Sequence, residues 1–199
     1  MHKLKALFSV LFSLAVFYAG AQKTITDGIL VYNISVQSDS KEPKMADMFD
    51  GATSTIYIKG QQSRSEMISG LGSEVMLMDG RNGSGVILKD YSGQKLMINL
   101  TSQDLAKRNH KYDDMTFETT SESSVIYGYK CKKAIAKLKD GTSFTVWYTP
   151  DLNPANKDYD YEFKRLPGLA LQYEMQVKNM KFKYTISKIS FEPVPTSKF

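Results

Sequence analysis

Histidine and cysteine, the side chains that most often supply nucleophiles, bases and soft metal ligands, are scarce in this sequence. Its 199 residues include two histidines, His2 and His110, and one cysteine, Cys131. Nucleophilic catalysis needs a nucleophile with a base beside it, and Cys131 with His110 would be the one such dyad. We favour a buried Cys131 that behaves as a small hydrophobic side chain. A single cysteine also excludes a disulfide framework and an all-cysteine metal site, so we predict no catalytic residue, no metal and no cofactor.

Acidic side chains concentrate between Asp151 and Gly168, in a long segment that we predict to be a loop. Within it, Asp158, Asp160 and Glu162 alternate with Tyr159, Tyr161 and Phe163. Acids between aromatic rings can hold a sugar or a calcium ion, and a carboxylate pair can hydrolyse a glycosidic bond. The twelve-residue calcium-loop pattern is absent, so we favour a solvated acidic loop anchored by its aromatic rings. An enzyme that acts on glycans through this loop is the remaining catalytic alternative.

Methionine is the residue type that points most directly to a ligand. The sequence has ten methionines, and Met76 and Met78 share one face of a predicted strand. Such soft, adaptable side chains suit a cavity that accepts acyl chains of varied shape. For the methionines taken alone we favour ordinary core filling over such a cavity, and Cu(I) coordination by thioethers is a third interpretation. The residues that we predict to line a ligand cavity are Leu169, Leu171, Tyr173, Met175, Met180, Phe182, Tyr184, Met76 and Met78.

The first residues have the pattern of a secretory signal peptide. Lys3 and Lys5 precede an uncharged run from Ala6 to Ala19, and Ala19-Gly20-Ala21 is a small-x-small cleavage sequence before Gln22. The run is shorter than the roughly 20 apolar residues that span a bilayer. We therefore predict that residues 1–21 are removed on export, to the periplasm or to the exterior, and that the protein is peripheral to a membrane at most.

The charge of the remaining chain is too small and too scattered to indicate a nucleic-acid partner. Removing the two lysines of the predicted signal leaves 24 basic residues against 21 acidic ones. The densest basic group is Lys130, Lys132 and Lys133, and alternating lysines of this kind indicate a solvated strand face. Nucleic-acid sites need a concentrated basic stripe, so we predict no nucleic-acid binding.

Alternation of apolar and polar residues predicts strands through most of residues 22–199, which we take to be a single domain. The most regular run is Leu169 to Val177, with its odd-numbered residues facing inward. Short turns that contain glycine, above all Asp140-Gly141, predict an antiparallel series of hairpins. The apolar phase slips between Ile186 and Ile189, which indicates a β-bulge. The tail from Pro193 to Phe199 has no pattern and is predicted to be frayed.

Two interruptions of the strand pattern predict short helices, one within Glu42 to Gly51 and one capped by Thr101 and ending near Asn109. A sheet with one apolar and one charged face must curl onto itself or onto a helix. We therefore predict a mainly β fold: a curved antiparallel sheet, or half-open barrel, of ten or eleven strands with one or two short helices.

Three motifs resemble a known group of proteins. They are Gly128-Tyr129-Lys130-Cys131-Lys132-Lys133-Ala134, then Val146-Trp147-Tyr148-Thr149, then Leu166-Pro167-Gly168-Leu169-Ala170-Leu171. In this order they resemble small exported proteins of Bacteroidetes, namely the GLPGLI family and a related family known only as a domain of unknown function. Arg165 stands where GLPGLI proteins have glycine, so the resemblance is closer to the uncharacterised relative. It implies an architecture similar to LolA/LolB-type lipoprotein carriers, and it implies no activity.

These observations favour a non-enzymatic, exported binding module for a hydrophobic ligand, either a lipid or the acyl chain of a lipoprotein. The alternative is a structural or assembly factor of the cell envelope that binds another protein through a sheet edge. A continuous lined cavity would favour ligand binding. A filled core with an exposed edge or an apolar patch would favour a protein partner.

Overall fold

The computed structural model describes residues 22–38, 44–177 and 179–199, so the predicted signal peptide lies outside the described residues. In chain order the strands are β1 (Lys23–Ile25), β2 (Asp27–Ser38), β3 (Thr53–Lys59), β4 (Gln62–Ser69), β5 (Gly72–Asp79), β6 (Ser84–Tyr91), β7 (Gln94–Leu100), β8 (Thr116–Ile126), β9 (Tyr129–Lys137), β10 (Ser143–Thr149), β11 (Leu152–Pro154), β12 (Leu169–Val177) and β13 (Met180–Ser190). The α-helices are α1 (Lys44–Phe49) and α2 (Ser102–Asn109), and 3₁₀ segments cover His110–Tyr112, Lys157–Phe163 and Thr196–Lys198.

Eleven of these strands form one antiparallel, curved sheet in the order β7-β6-β5-β4-β3-β2-β13-β12-β10-β9-β8. Consecutive hairpins build β3 to β7 on one side, where α1 lies between β2 and β3, and β8 to β10 on the other, and β13 joins the two halves by pairing with β2. The two short strands β1 and β11 pair in parallel outside this sheet. The predicted fold class is therefore confirmed, and the sheet has two free edges, β7 and β8.

The alternation that predicted β12 places its odd-numbered residues on the inner face, which we define as the face carrying Tyr32, Ile56, Val146 and Leu171. Leu171 is fully buried there, and Tyr173 pairs with Tyr184 of β13 with the two rings stacked, 4.6 Å between centroids. Strands β12 and β13 therefore pair across the inner face.

The predicted slip of phase in the last strand is also confirmed, because the register between β13 and β2 shifts between Ile186 and Lys188. A second shift lies between Trp147 and Tyr148, where β10 pairs with β12. Such bulges increase the local twist and bend of a strand, as the curvature of this sheet requires.

The main core lies between the inner face and the segment from Leu152 to Leu166, which we had predicted to be a solvated loop. The predicted anchoring by aromatic rings is present, because Tyr159 and Phe163 are buried, but the predicted solvation of the acids is wrong for Glu162, which is buried as well. The Phe163 ring meets Tyr173 edge-on at 4.7 Å between centroids. Acids had suggested exposure, but every second residue here is an aromatic ring that the curved sheet can cover.

The predicted fraying of the C-terminal tail is wrong as well. Val194 is buried, its N–H donates to the Asp27 carboxylate (2.7 Å) and its carbonyl accepts from Lys59 Nζ (2.7 Å). The tail is thus held by side chains from β2 and β3. Asp27 and Lys59 lie far from the tail in sequence, so no local sequence pattern could predict these contacts.

The structure explains why two positions in the sequence motifs, 128 and 168, are glycine. Tyr127 and Gly128 both have positive φ, 51° and 78°, between the paired residues Ile126 and Tyr129, as a type I′ hairpin turn requires. A Cβ on Gly168 would lie 2.1 Å from the Thr149 carbonyl oxygen, so only glycine permits this close approach of two backbones.

Helix α2 begins as predicted, with a complete capping box. The Thr101 hydroxyl accepts from the Asp104 N–H, while the Asp104 carboxylate accepts from the Thr101 N–H at 2.9 Å. Leu105 is the buried residue of this helix, and α2 lies over β6 and β7. Within the part of the chain that the structure describes, neither helix has the length or the apolar character to cross a bilayer.

Candidate functional site

A cleft of about 300 Å³ opens between the inner face and a wall made of the end of α2, His110–Tyr112 and Lys157–Phe163. The sheet side of the lining consists of Ser54 and Ile56 of β3, Ser63 and Ser65 of β4, Met76 and Met78 of β5, Tyr173 and Met175 of β12, and Tyr184 of β13. The wall side consists of Arg108, Asn109, Tyr112, Asp158, Tyr159, Asp160, Tyr161 and Glu162.

The cleft exists because small and large side chains alternate across neighbouring strands. Ser65 of β4 pairs with Met76 of β5, and Ser63 pairs with Met78. On β4 the charged Arg64 lies on the opposite face from these two serines. Serine side chains leave room on the inner face that a larger residue would fill, and the flexible methionines border that room.

Stacked and crossed aromatic rings make one end of the lining rigid. Tyr173 is stacked on Tyr184, meets Phe163 edge-on, and is T-shaped to Tyr32 at 5.9 Å between centroids. The Tyr32 hydroxyl is fixed in turn, because it donates to the Ala170 carbonyl at 2.7 Å. The aromatic end is therefore preformed, whereas the methionine end can adapt its shape.

Two carboxyl groups, Asp160 and Glu162, belong to the wall. Glu162 is only 8% exposed, and the Tyr112 hydroxyl donates a hydrogen bond to its carboxylate. Burial raises the pKa of Glu162, and the neighbouring Asp160 charge raises it further. Burial also raises the pKa of Asp160, against the hydrogen bond that its carboxylate accepts from the Glu162 N–H. The pair thus keeps a proton at pH values where exposed carboxyls have lost theirs.

The same burial suppresses ionisation of the surrounding tyrosines. Burial raises the pKa of Tyr32, Tyr112, Tyr159 and Tyr173 well above the ordinary value, and it raises the pKa of Tyr184 to about 12. The nearby carboxylates add to each of these shifts. The cleft therefore presents neutral tyrosine hydroxyls and a carboxyl pair that retains a proton, and these groups can donate hydrogen bonds to a ligand as well as accept them.

A comparison with protein families now identifies the chain's relatives. Residues 44–165 match the family described as "Domain of unknown function (DUF4412)". The chain belongs to this family. The DUF4412 match runs from α1 to the acidic segment, so it includes the whole wall of the cleft and the β3, β4 and β5 part of its lining. No curated protein matches the sequence.

Solved structures resemble this DUF4412 chain at low sequence identity. It is similar to PNGF-II (15% identity, TM-score 0.46), covering 86% of this chain and 29% of the other. It is similar to the Mycobacterium tuberculosis lipoprotein LppX at 11% identity and a TM-score of 0.42, covering 86% of this chain and 89% of the other. It is also similar to LprF from Mycobacterium bovis at 11% identity and a TM-score of 0.36, covering 85% of this chain and 88% of the other. The chain thus spans less than a third of PNGF-II, and the similarity is one of fold alone.

The cleft gathers five of the nine residues that the sequence suggested for a cavity: Met76, Met78, Tyr173, Met175 and Tyr184. Leu169 and Leu171 lie instead in the main core, fully buried. Met180 and Phe182 pack with Ile34 and α1 in a second, smaller core. A strand's alternation predicts which residues face inward, but only the elements packed against them decide which part of that face stays open.

Sequence reasoning missed Tyr112, Arg108 and the three serines of this DUF4412 cleft, and it named the wall residues Asp158 to Glu162 only as the sugar or calcium alternative. The alternation of acids and aromatic rings at residues 158–163 was visible, and it indicated a segment with one side against the protein. The serines gave a weaker signal, since Ser63 and Ser65 alternate with Arg64 and Glu66 in β4.

The residues best suited to catalysis lie in other settings. His110 is exposed and its Nδ1 lies 3.0 Å from the Asp113 carboxylate. Cys131 is buried, and burial raises the pKa of its thiol, which disfavours the reactive thiolate. Among residues 22–38, 44–177 and 179–199, no three His, Cys, Asp or Glu side chains come together as a metal site would need.

Proposed function

We propose that this protein is an exported, non-enzymatic binding module, a single domain of residues 22–199, that holds a hydrophobic ligand in the cleft. The ligand class is an acyl chain, either of a lipid or of a lipoprotein. One observation carries the proposal: the open part of the inner face is the part lined by Met76, Met78 and Met175 beside stacked tyrosines.

The apolar side of the lining suits a chain without fixed shape. Thioether side chains are polarisable and adopt many rotamers, so they can pack against methylene groups in different arrangements. Tyr173 and Tyr184 supply a flat, rigid end against which one part of a ligand can rest. At about 300 Å³ the cleft lies at the lower end of the range for ligand sites, ~300–1,000 Å³, so it would take part of one chain.

The polar wall would orient the ligand. Protonated Asp160 or Glu162 can donate a hydrogen bond to a carbonyl or carboxyl oxygen, and the Ser63 and Ser65 hydroxyls can do the same. Arg108 at the end of α2 also lines the cleft and can pair with an anionic head group. An acyl chain with an oxygen-bearing end therefore matches both parts of the lining.

Export and ancestry belong to the proposal too. Export is supported by the signal-peptide pattern of residues 1–21. The relation to GLPGLI proteins of Bacteroidetes is supported by the three motifs and stays a prediction. The non-enzymatic role is supported by the setting of His110 and Cys131, one exposed and the other buried with a disfavoured thiolate.

Binding of a dansyl-labelled undecanoic acid to residues 22–199 tests the proposal. Met76→Trp fills the cleft, and Leu77→Trp adds the same volume one residue later, on the opposite face of β5, as a matched control. We expect saturable binding by the wild type and by Leu77→Trp, and at least a tenfold weaker affinity, about 1.4 kcal/mol, for Met76→Trp. Thermal melting verifies that both variants fold. A wild type without saturable binding, or a Met76→Trp variant that binds normally, contradicts the proposal.

A second candidate function is the sheet-edge protein binder, and a different observation favours it. Leu96, Met97 and Ile98 of the edge strand β7 are exposed. Exposed apolar residues on a free strand are typical of sites that accept a strand from another chain.

A further inference from the structure

The two free edges of the sheet differ in how they are protected. β8 has a break in its register with β9 between Thr119 and Ser123. It also carries Glu118 and Glu122, which pair with Lys137 (2.7 Å) and Lys133 (2.8 Å) of β9. Bulges and edge charges are the usual means by which natural sheets prevent the addition of a further strand. The β8 edge is therefore closed to such pairing.

The β7 edge is less protected, because it has no break in register and its one charge is Lys95, which pairs with Asp90 of β6 (3.8 Å). All seven residues pair with β6 in unbroken register, from Gly85 with Leu100 to Tyr91 with Gln94. The strand contains no proline, no glycine and one charge, Lys95. Leu96, Met97 and Ile98 are 54%, 64% and 36% exposed, so apolar surface lies on both faces of the edge.

The hairpin turn determines which backbone groups of β7 face the free side. Ser92 and Gly93 both have positive φ, 53° and 81°, as in a two-residue type I′ turn whose flanking pair exchanges hydrogen bonds. Because hydrogen-bonded pairs alternate with non-hydrogen-bonded pairs along two antiparallel strands, Gln94 and the other even-numbered residues of β7 bond to β6. Lys95, Met97 and Asn99 therefore present their N–H and C=O groups to the free edge.

We propose that β7 pairs antiparallel with β7 of a second copy of this chain, across a two-fold axis at Met97. This inference rests on the second candidate function, sheet-edge binding, and specifies its partner. Met97 is the middle residue of the strand, so this register uses all seven residues. It places Leu96 opposite Ile98 of the second copy, and Met97 opposite Met97.

The symmetry and composition of β7 select a second copy. In this register Lys95, the one charge of β7, lies opposite the neutral Asn99, so the two lysines of the pair are kept apart. Leu96 and Ile98 share the inner face and meet twice, because a two-fold interface repeats every contact. The outward backbone groups of Lys95, Met97 and Asn99 then find partners in both chains. The strand is thus complementary to itself in hydrogen bonding and apolar contact, and no like charges face each other across the pair.

Disulfide trapping tests the register. In a background of Cys131→Ala, Met97→Cys places two thiols at a hydrogen-bonded pair, with Cα atoms about 5.5 Å apart, within the range for a disulfide. Lys95→Cys is the matched control, since it would lie opposite Asn99. After equilibration with oxidised glutathione, we expect a covalent dimer for Met97→Cys and monomer for Lys95→Cys. Equal cross-linking of both variants, or none for either, overturns the proposed register.

Sedimentation velocity over a concentration series tests association itself, without cysteines. Met97→Lys puts two like charges opposite each other, and Val125→Lys makes the same change at an exposed residue of the β8 edge. We expect a wild-type dimer that Met97→Lys abolishes and Val125→Lys preserves. A monomeric wild type overturns the inference. Association lost only in Val125→Lys also overturns it but leaves sheet-edge binding intact, whereas association unaffected by both variants contradicts sheet-edge binding as well.

Discussion

Glu162 shows how a single buried carboxyl ties the stability of this fold to pH. Its pKa is raised in the folded protein by burial and by Asp160, while in the unfolded chain it returns to an ordinary value of about 4.3. An acid whose folded pKa is raised stabilises the fold below the unfolded pKa, and this contribution is lost as pH rises through the folded pKa. The charged and titratable groups around Glu162 and Asp160 are Tyr32, Lys111, Tyr112, Tyr159, Tyr173 and Tyr184.

We therefore expect the free energy of unfolding to fall between roughly pH 5 and pH 8, and Glu162→Gln to reduce that fall. The amide keeps a hydrogen-bonding group for Tyr112 but cannot ionise. Urea denaturation at several pH values measures the slope. Asp158→Asn makes the same change at an exposed carboxyl of this segment and serves as the control for loss of a carboxyl group as such. A slope unchanged by Glu162→Gln would contradict the raised pKa.

Cys131 offers a second prediction at the residue scale. Its side chain is buried in the main core, so Cys131→Ala removes packing and should cost roughly 1 kcal/mol of stability. Binding of the labelled fatty acid should be unchanged, because Cys131 does not line the cleft. Chemical denaturation and probe titration on one sample give both results. A folded variant that has lost binding would show that the thiol has a functional role.

At the scale of elements, the capping box of α2 links a local sequence signal to the site. α2 carries Arg108 and Asn109 into the lining of the cleft, and its start depends on the Thr101 side chain. Thr101→Ala should cost about 1 kcal/mol, measured by urea denaturation. Ser102→Ala, at the next exposed residue, serves as the control and should change stability by less. Equal effects would mean that the cap contributes little.

The elements also show what a sequence pattern can and cannot predict. Strand β12 has its predicted bounds, and α2 has its predicted cap, because each depends on the pattern of its own residues. The exposure of Glu162 was predicted wrongly because it depends on a sheet face far away in sequence. The prediction that the tail around Val194 is frayed was wrong for the same reason. The lining of the cleft was predicted in part, with Met76 and Tyr173 among the predicted residues. Alternation identifies which side chains of a strand lie on the inner face, but it does not identify which elements pack over that face.

At the scale of the whole molecule, the inner face has a filled part and an open part, and added volume should distinguish them. Leu171 is fully buried between the sheet and the Leu152–Leu166 segment. Leu171→Trp should therefore destabilise the protein by roughly 1–3 kcal/mol through overpacking, without blocking fatty-acid binding. Thermal melting beside probe titration measures both. A nearly neutral Leu171→Trp that blocks uptake would place the ligand deeper than the cleft.

The pairing of β2 with β13 joins the first long strand of the sheet to the last. The Ser187 hydroxyl donates to the Val31 carbonyl, 156 residues earlier, whereas β3 to β7 are connected by short turns and β2 is followed by α1 and β3. Local hairpins form quickly, and contacts between distant segments slow folding because a long loop must close first. During synthesis, therefore, β2 to β7 can assemble while the other side of β2 still has no neighbour. Arrival of β13 completes the sheet, and until then β2 presents an additional open edge that can pair with the wrong chain.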